Sequence, residues 1–252
     1  MDAREILRHI DEGANHFLLT LADGPHMTAT DGGGFTVIRP KDGQEGVSFV
    51  CRLQLEGLSR AESAALITRA KATGLPVWFP LLATNAQFQL FFGRERIHSA
   101  APAADDEVYL AMLPGEMTTA PQTHAVHRAT DAASFADCAM VVNTVLSDGR
   151  PDLHPIHHLP LMETGRIHAH VLYADEHPVS AAVTMAKDGV ASLEFVASLP
   201  GFRRMGYAEA VCRQAVADAW TRGTALITVR AVNPAVARLY ERLGFRAYNH
   251  AL

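Results

Sequence analysis

The residues best suited to bind an anion lie in the segment from Glu194 to Ala208, which reads EFVASLPGFRRMGYA. The segment has the pattern of a strand, then a turn marked by Pro200, then the spacing R-x-x-G-x-A where a helix begins. Backbone N–H groups at a helix N-terminus have no partner inside the helix, and the helix dipole adds partial positive charge there. Such a turn suits a pyrophosphate.

The side chains of this turn suggest how a phosphate group would be held. Gly206 would allow close approach to the backbone, and the small Ala208 would leave space above the first helical turn. Arg203 and Arg204 would add charge-assisted hydrogen bonds to a diphosphate or a 3'-phosphate. The spacing is common by chance, so its interpretation depends on the neighbouring elements.

An antiparallel meander is predicted before the turn. Arg166 to Tyr173, Val179 to Ala186 and Val190 to Ser198 have strand character, and the sequences DEHP and KDG between them favour turns. Upstream, a helix is predicted from Asp131 to Leu146. The segment from Asp148 to Pro160 is predicted to be irregular because of its glycine and prolines.

An amphipathic helix is predicted directly after the turn. Its apolar residues recur at helical spacing on one face, namely Ala208, Val211, Cys212, Ala215, Val216 and Ala219. The opposite face would carry the pairs Glu209 with Arg213 and Asp218 with Arg222. Gly223 would end the helix in a left-handed cap.

The remaining chain reads as a strand, a capped helix and a final strand. Ala225 to Val232 is almost wholly apolar, as a strand covered on both faces would be. Asn233 would cap a short helix that begins at Pro234 and ends at Gly244. A last strand is predicted from Phe245 to Leu252.

The composition changes between about His98 and Thr123, where alanine, proline, aspartate and threonine dominate. This stretch is interpreted as a linker around one short strand, Val108 to Leu113, with a domain boundary near residue 122. Two domains are therefore predicted, residues 1–122 and 123–252.

The N-terminal half shows a fainter version of the same order of elements. Ser59 and Glu62 form a predicted capping box, and the helix they begin ends at Gly74. A strand from Val77 to Leu82 and a short helix ending at Gly93 follow. This order is interpreted as an internal repeat of one α/β unit. The alternative is that helix, strand, helix is simply a common order in α/β proteins.

The order of these elements and two motifs resemble the GNAT superfamily of acyltransferases. One motif is the R-x-x-G-x-A turn, and the other is NPAVARLYERLGF, whose matching residues are Asn233, Leu239, Tyr240, Gly244 and Phe245. The resemblance covers about residues 123–252 and implies an α/β mixed-sheet fold, the GNAT acyl-CoA N-acyltransferase fold. The N-terminal half lacks this turn, so resemblance to two-domain GNAT proteins implies a tandem arrangement with a degenerate GNAT-like copy.

The resemblance implies an N-acetyltransferase in which a neutral primary amine attacks acetyl-CoA directly, through a tetrahedral intermediate. Tyr240 matches the family's general acid, although its place on an apolar helix face also fits simple packing. Glu194 is the predicted general base, because some family members carry a catalytic glutamate there and it shares the strand parity of Val196 and Ser198. A solvent-facing carboxylate is the alternative for Glu194.

The family also implies which residues bind acetyl-CoA. In the family, the fourth strand, which stands before the turn, separates from the fifth, and the pantetheine arm pairs with the fourth strand like an added strand. The Val196 N–H would lie near the thioester oxygen, and Asn233 would bond the pantetheine arm or order its loop, and also fits an ordinary helix cap. The predicted cofactor-binding residues are Val196, Ser198, Arg203, Arg204, Met205, Gly206, Tyr207, Ala208 and Asn233.

A metal site is not predicted. His168 and His170 share one strand face, but no carboxylate or cysteine stands at ligand spacing, and the family chemistry needs no metal. His157 or His158 could line the acceptor pocket, although solvent-exposed loop histidines are the plainer interpretation. The predicted acceptor is a small-molecule or peptide amine. A non-catalytic acyl-CoA-binding sensor or scaffold is the alternative function.

Composition narrows the class of protein. A net charge of −5 without a long basic run argues against nucleic acid or an anionic membrane surface as a partner. Three widely spaced cysteines and the lack of a long apolar run favour a cytoplasmic protein without disulfides or a membrane anchor. A monomer and a homodimer are both compatible with the sequence.

Overall fold

The computed structural model describes residues 1–22, 24–44, 46, 48–94, 106–119, 121–122, 124–146 and 155–249. The chain divides into two compact units, Met1–Ala101 with His250–Leu252, and Pro102–Asn249. The two units have separate sheets and separate hydrophobic cores. No helix formed by the described residues combines the length and the apolar character that crossing a membrane requires.

The elements of the first unit, among the described residues, are α1 (Ala3–Ala22), β1 (Met27–Asp31), β2 (Thr36–Pro40), β3 (Phe49–Cys51), α2 (Arg60–Ala72) and α3 (Asn85–Phe92). Strands β1, β2 and β3 form an antiparallel sheet in that order. Phe35, Val50 and Leu66 belong to one buried cluster, which joins the sheet to α2. This unit therefore has a small core of its own.

The predicted helix boundaries of the first unit are confirmed. The Ser59 hydroxyl accepts from the Glu62 N–H, and the Glu62 carboxylate accepts from the Ser59 N–H, which completes the capping box of α2. Gly74 follows α2 with φ 69°, and Gly93 ends α3 with φ 69°. These boundaries could be predicted because capping is a contact between near neighbours in sequence.

The predicted strand from Val77 to Leu82 is largely wrong. Only Val77 pairs, in an isolated parallel bridge with Val50. Pro76 and Pro80 flank this residue, and proline has no N–H group with which to extend a ladder. Between α2 and α3, the first unit therefore has a single bridged residue, Val77, where a strand was predicted.

The elements of the second unit, among the described residues, are β4 (Val108–Met112), β5 (Val126–Arg128), α4 (Ala132–Leu146), α5 (Pro155–Glu163), β6 (Ile167–Ala174), β7 (His177–Lys187), β8 (Val190–Ser198), α6 (Tyr207–Thr221), β9 (Leu226–Ala231), α7 (Pro234–Leu243) and β10 (Arg246–Ala247). Their sheet has the order β10-β4-β9-β8-β7-β6-β5, and only β8 and β9 are parallel neighbours. Val211 of α6 and Leu243 of α7 pack in one cluster with Leu193 and Val229 of the sheet. The predicted α/β fold with a mixed sheet is confirmed.

Strand β4 lies inside this sheet, and not in a linker as predicted. Its residues pair with β9 from Val108 with Ala231 to Met112 with Ile227, and β10 pairs with its other side. The predicted boundary near residue 122 falls after β4, whereas the two compact units divide before it. A short apolar strand between polar segments does not show in sequence which strands it will pair with, because that pairing is non-local.

Two other predicted segments differ from the structure. Pro155 to Pro160, predicted to be irregular, belong to α5, because a proline at the first helical position has a backbone angle suited to a helix. Residues 148–154 of that prediction lie outside the described residues. The last strand is limited to Arg246–Ala247, after which Asn249 Oδ1 accepts from the Tyr109 N–H. Residues 250–252 also lie outside the described part.

A buried polar cluster joins β6 to α6. His170 is fully buried, and its Nε2 lies 2.7 Å from Asp218 Oδ2. Asp218 also accepts a hydrogen bond from Gln214 of the same helix, and the His170 contact directs it toward β6, although it was predicted to pair with Arg222 on the face opposite the apolar stripe. His168 Nδ1 lies 3.0 Å from Nη2 of Arg128. The two histidines that share a strand face are therefore held by an aspartate and an arginine.

The stability of the second unit is expected to fall in mild acid because of His168. Burial, with the positive charges of Arg222 and Arg128, lowers the pKa of His168 to about 4. An unfolded histidine has a pKa near 6.5, so between about 6.5 and about 4 the unfolded chain binds a proton that the folded chain does not. The free energy of unfolding should decrease as the pH falls through this window, by about 2 kcal/mol from this group once solvent screening of the partly buried ring is allowed for.

The variant His168→Gln tests this expectation, because an amide keeps an acceptor for Arg128 but does not titrate. Urea unfolding at a series of pH values should show a shallower decrease for the variant than for the unmodified protein. Burial also lowers the pKa of His170, but His170 is present in both proteins and the difference isolates His168. Equal slopes would show that His168 makes no contribution.

Candidate active site

The parallel strands β8 and β9 separate part-way along their length. Their pairing ends at Leu193 and Val229, and no further pairs form between the described residues of these two strands. Beyond this point β8 continues beside β7, as far as Ser198 opposite Ser180, while β9 continues beside β4. The separation leaves a gap edged by backbone groups, and an extended ligand could pair with such an edge as an added strand.

A β-bulge lies in β8 at this gap. Ala197 pairs with Ala181 and Glu194 pairs with Val183, so β8 has one more residue than β7 over this stretch. Phe195, inside the bulge, has φ 50°, in the left-handed region. The bulge bends β8 at the point where it leaves β9.

The bulge overturns the predicted parity of Glu194 with Val196 and Ser198. Side chains alternate along a strand with a period of two, so one inserted residue inverts the facing of those that follow. The sequence of β8 gives no sign of this insertion, because the extra residue is defined only by the partner strand. Glu194 and Val196 therefore do not share a face by simple alternation.

Strand β8 leads into the predicted anion-binding turn. A short 3-10 helix spans Pro200–Phe202, and Arg204 and Gly206 have φ angles of 64° and 82°. Gly206 is the N-cap of α6, and no side chain caps this end of the helix. The first backbone N–H groups of α6 are therefore available to a ligand. Arg203, Arg204, Met205 and Gly206, which lead into α6, are all exposed.

His124 lies beside this turn, although the sequence did not indicate it. Its ring meets the ring of Tyr207 edge-on, with centroids 4.8 Å apart. Its Nε2 would lie 3.7 Å from a Cβ placed on Gly206. Gln122 holds the segment in place, because its Nε2 donates to the backbone oxygens of Ala210 and His124. An imidazole nitrogen therefore stands next to the glycine that caps α6.

Tyr240 is part of the hydrophobic core of the second unit. Its side chain is 4% exposed, and its ring meets that of Phe245 at an interplanar angle of 68°. Burial, then the nearby Cys212 and Glu194, raises the pKa of Tyr240 well above its ordinary value. Within the described residues, its hydroxyl makes no hydrogen bond. Tyr240 therefore packs in the core, as the packing interpretation predicted. Its hydroxyl stays protonated, and it is close enough to Glu194 for the charge of that residue to affect its pKa.

Glu194 lies at the first position of β8 beyond its last pairing with β9. Its side chain is 13% exposed, and its Oε2 lies 3.5 Å from Nη2 of Arg230 in β9. Burial raises the pKa of Glu194, and the Arg230 guanidinium opposes that rise. A buried carboxylate with a raised pKa is a stronger base than an exposed one.

The remaining predicted cofactor-binding residues have structural partners. Asn233 caps α7, since its Oδ1 accepts from the Val236 N–H at 3.0 Å. The hydroxyls of Ser198 and Ser180 lie 2.8 Å apart, between β8 and β7. Val196 is half-buried and packs against the main core cluster. The cap interpretation of Asn233 is confirmed, and a cofactor contact remains a prediction.

Helix α5 places a histidine beside the bulge. His158 is 3% exposed, and its ring centroid lies 6.2 Å from that of Phe195, in edge-on geometry. The side chain of His157 lies outside the described part of the chain. Among the described residues, no group of three or more His, Cys, Asp or Glu side chains could hold a metal ion.

The sequence of the second unit matches a known family. Residues 124–245 match the family model described as Acetyltransferase (GNAT) family. These residues form a GNAT acetyltransferase domain. The GNAT match begins after β4 and ends before β10, although both strands belong to the same sheet as the matched residues.

Solved structures of GNAT proteins share the fold of this chain. A GCN5-related N-acetyltransferase from Kribbella flavida is 18% identical with a TM-score of 0.63, over 93% of this chain and 90% of that chain. A GCN5-related N-acetyltransferase-like protein from Streptococcus suis is 14% identical with a TM-score of 0.53, over 97% and 94%. At these identities the likeness concerns the fold alone. No curated protein matches the chain.

Along the GNAT domain, Glu194 comes directly before the bulge in β8, and the predicted turn follows the end of that strand. Arg230 and His124 are the residues that the sequence-based interpretation missed. For Arg230 a signal existed, because it is one of few polar residues in the apolar strand β9. His124 gave no signal, since its nearness to Gly206 depends on the packing of β5 and α6.

Proposed function

We propose that the GNAT domain transfers an acetyl group from acetyl-CoA to a primary amine. The observation that carries this proposal is the gap between β8 and β9, which leads by way of the end of β8 to the uncapped N-terminus of α6. A ligand that combines an extended arm containing amides with a pyrophosphate would use both features, and acetyl-CoA is such a ligand. The residues present therefore fit it.

Several residues would hold acetyl-CoA. Backbone groups of Val196 and Ser198 would pair with the pantetheine arm, because they lie on β8 beyond its separation from β9. Asn233 uses its Oδ1 as a cap, which leaves its amide N–H groups as donors to that arm. The pyrophosphate would lie over the turn formed by Arg203, Arg204, Met205, Gly206, Tyr207 and Ala208.

The chemistry requires one base and one acid. Acetyl-CoA supplies the acetyl group and a thiolate leaving group. Glu194 would accept a proton from the ammonium form of the acceptor, because the amine can attack only with a free lone pair. Tyr240 would donate its phenolic proton to the leaving sulfur, since its raised pKa keeps it protonated at neutral pH.

Calorimetric titration with acetyl-CoA, followed by a thiol-release assay with a panel of amines, tests this function. We expect micromolar binding and thiol release that depends on the amine. The panel should contain small-molecule amines and lysine peptides, because both acceptor classes are proposed. The absence of binding would refute the cofactor assignment.

A non-catalytic acyl-CoA-binding sensor or scaffold is the second candidate. One observation favours it, because Tyr240 is packed in the core and Glu194 is paired with Arg230, so both have structural roles without catalysis. A sensor would bind acetyl-CoA in the titration without releasing thiol with any amine. The same pair of measurements therefore separates the two functions.

We also propose that the first unit derives from a degenerate GNAT-like copy within residues 1–122. In the first unit, β3 is followed by α2 and then by Val77, which forms a parallel bridge with β3. In the second unit, β8 is followed in the same way by α6 and by β9, which pairs in parallel with β8. The first unit lacks the R-x-x-G-x-A turn before α2, so calorimetry should give one acetyl-CoA per chain. Two sites per chain would contradict loss of the cofactor turn.

We further propose a cytoplasmic monomer or homodimer.

A further inference from the structure

An ion pair stands where the two parallel strands separate. Leu193 and Val229 are the last paired residues of β8 and β9, and Glu194 and Arg230 are the next residue of each strand. In a parallel pair, residues at equivalent register share a face. The Arg230 Nη2 lies 3.5 Å from Glu194 Oε2, and the two side chains are 22% and 13% exposed. The pair therefore spans the closed end of the gap.

The surroundings of this carboxylate disfavour its negative charge. Glu107, next to the start of β4, is a second acidic group close enough to disfavour the charge of Glu194. Tyr240 of α7 is close enough to Glu194 for the two groups to interact electrostatically. The ring of His158 of α5 meets the ring of Phe195, the residue after Glu194, edge-on. Burial acts in the same direction as Glu107, whereas the positive charge of Arg230 and, after it, the Ser192 hydroxyl favour the charged form of Glu194.

We propose that Arg230 is a positioning residue for the acetyl transfer, which favours the ionised form of Glu194 and holds its carboxylate at the closed end of the gap. This inference rests on the proposed function, in which Glu194 accepts a proton from the ammonium form of the acceptor. A carboxylic acid that is already protonated cannot accept this proton. Arg230 therefore determines the lower end of the pH range in which Glu194 acts.

The variants Arg230→Gln and Arg230→Lys separate charge from packing. Glutamine removes the positive charge and keeps a polar side chain, whereas lysine keeps the charge. We expect Arg230→Gln to shift the acid limb of the kcat/KM profile to higher pH by about one unit or more, and Arg230→Lys to shift it less. Binding of acetyl-CoA by each variant confirms that the domain is folded.

A second readout does not depend on turnover. The side-chain carboxyl carbon of Glu194 can be followed by NMR in protein carrying 13C-labelled glutamate, and its signal is assigned by its absence in Glu194→Gln. The midpoint of this titration should move to higher pH in Arg230→Gln. An unchanged midpoint would overturn the inference, as would a lower rate with an unchanged pH profile, because packing alone would then explain the residue.

The two proposals fail in different ways. A shifted NMR midpoint in a protein that binds acetyl-CoA but acetylates no amine would uphold the influence of Arg230 on Glu194 and refute acetyl transfer. Amine-dependent thiol release with the same NMR midpoint in both proteins would uphold acetyl transfer and refute the role of Arg230.

Discussion

Replacing Gly206 with glutamate is expected to abolish the binding of acetyl-CoA, or to weaken it by at least about 100-fold, equivalent to about 2.7 kcal/mol. Gly206 is the N-cap of α6 with φ 82°, in the turn proposed to hold the pyrophosphate. A glutamate would place its carboxylate where the helix dipole attracts negative charge, and would repel the phosphates from that position. Calorimetric titration with acetyl-CoA measures the effect.

This variant is expected to remain folded. A side chain at a left-handed position costs about 1 to 2 kcal/mol, but a carboxylate at a helix N-terminus recovers part of that. A Cβ at this position would meet His124 Nε2 at 3.7 Å, an ordinary contact distance. Loss of binding would therefore reflect the site and not unfolding, and circular dichroism can verify this.

The matched control is Gly223→Glu, at the other end of the same helix. Gly223 has φ 85°, and a Cβ there would meet no atom within 4 Å apart from its neighbours in the chain. The control adds the same charge with the same backbone strain, away from the turn. It should bind acetyl-CoA with nearly unchanged affinity. If Gly206→Glu binds as well as this control does, the anion-binding interpretation of the turn is wrong.

Replacing Tyr240 with phenylalanine is expected to lower kcat by roughly 100-fold, a typical contribution of a general acid. The affinity for acetyl-CoA should remain nearly unchanged, because the hydroxyl is proposed to act only on the leaving sulfur. The change should also preserve stability, since within the described residues the hydroxyl donates no hydrogen bond and the ring keeps its contact with Phe245. Steady-state kinetics and calorimetry measure the two quantities.

The variant Tyr248→Phe provides a comparison. Tyr248 follows β10, the edge strand of the sheet, and is two strands away from the gap between β8 and β9. Its kcat should equal that of the unmodified protein. A loss of acetyl-CoA affinity in Tyr240→Phe as large as the loss of kcat would refute the acid role, because it would mean that Tyr240 shapes the site and does not protonate the thiolate.

Much of the second unit could be predicted because its elements carry local signals. Strand β8 has the predicted bounds, Val190–Ser198, since its turns and its hydrophobic pattern lie in the same stretch of chain. Helix α7 begins after Asn233 and ends at Gly244, because a cap depends on residues only a few positions apart. The turn before α6 was predicted for the same reason, and Gly206 has φ 82° at the start of the helix, while its binding of a cofactor stays a prediction.

Contacts between distant parts of the chain could not be predicted. The place of β4 between β9 and β10 depends on which edges of the sheet are left unpaired after the other strands have assembled. The environment of Glu194 depends on Arg230 in β9 and on Glu107, the residue before β4. A sequence pattern reports the period of an element, and it does not report the partner that the element will meet.

The amino-acid order alone therefore indicated the type of domain and the position of the turn before α6, because both follow from spacing within short segments. The three-dimensional packing established the bulge at Phe195, the ion pair of Glu194 with Arg230, and the nearness of His124 to Gly206. The bulge is defined by the register of β8 against β7, and the other two by the approach of residues far apart in the chain.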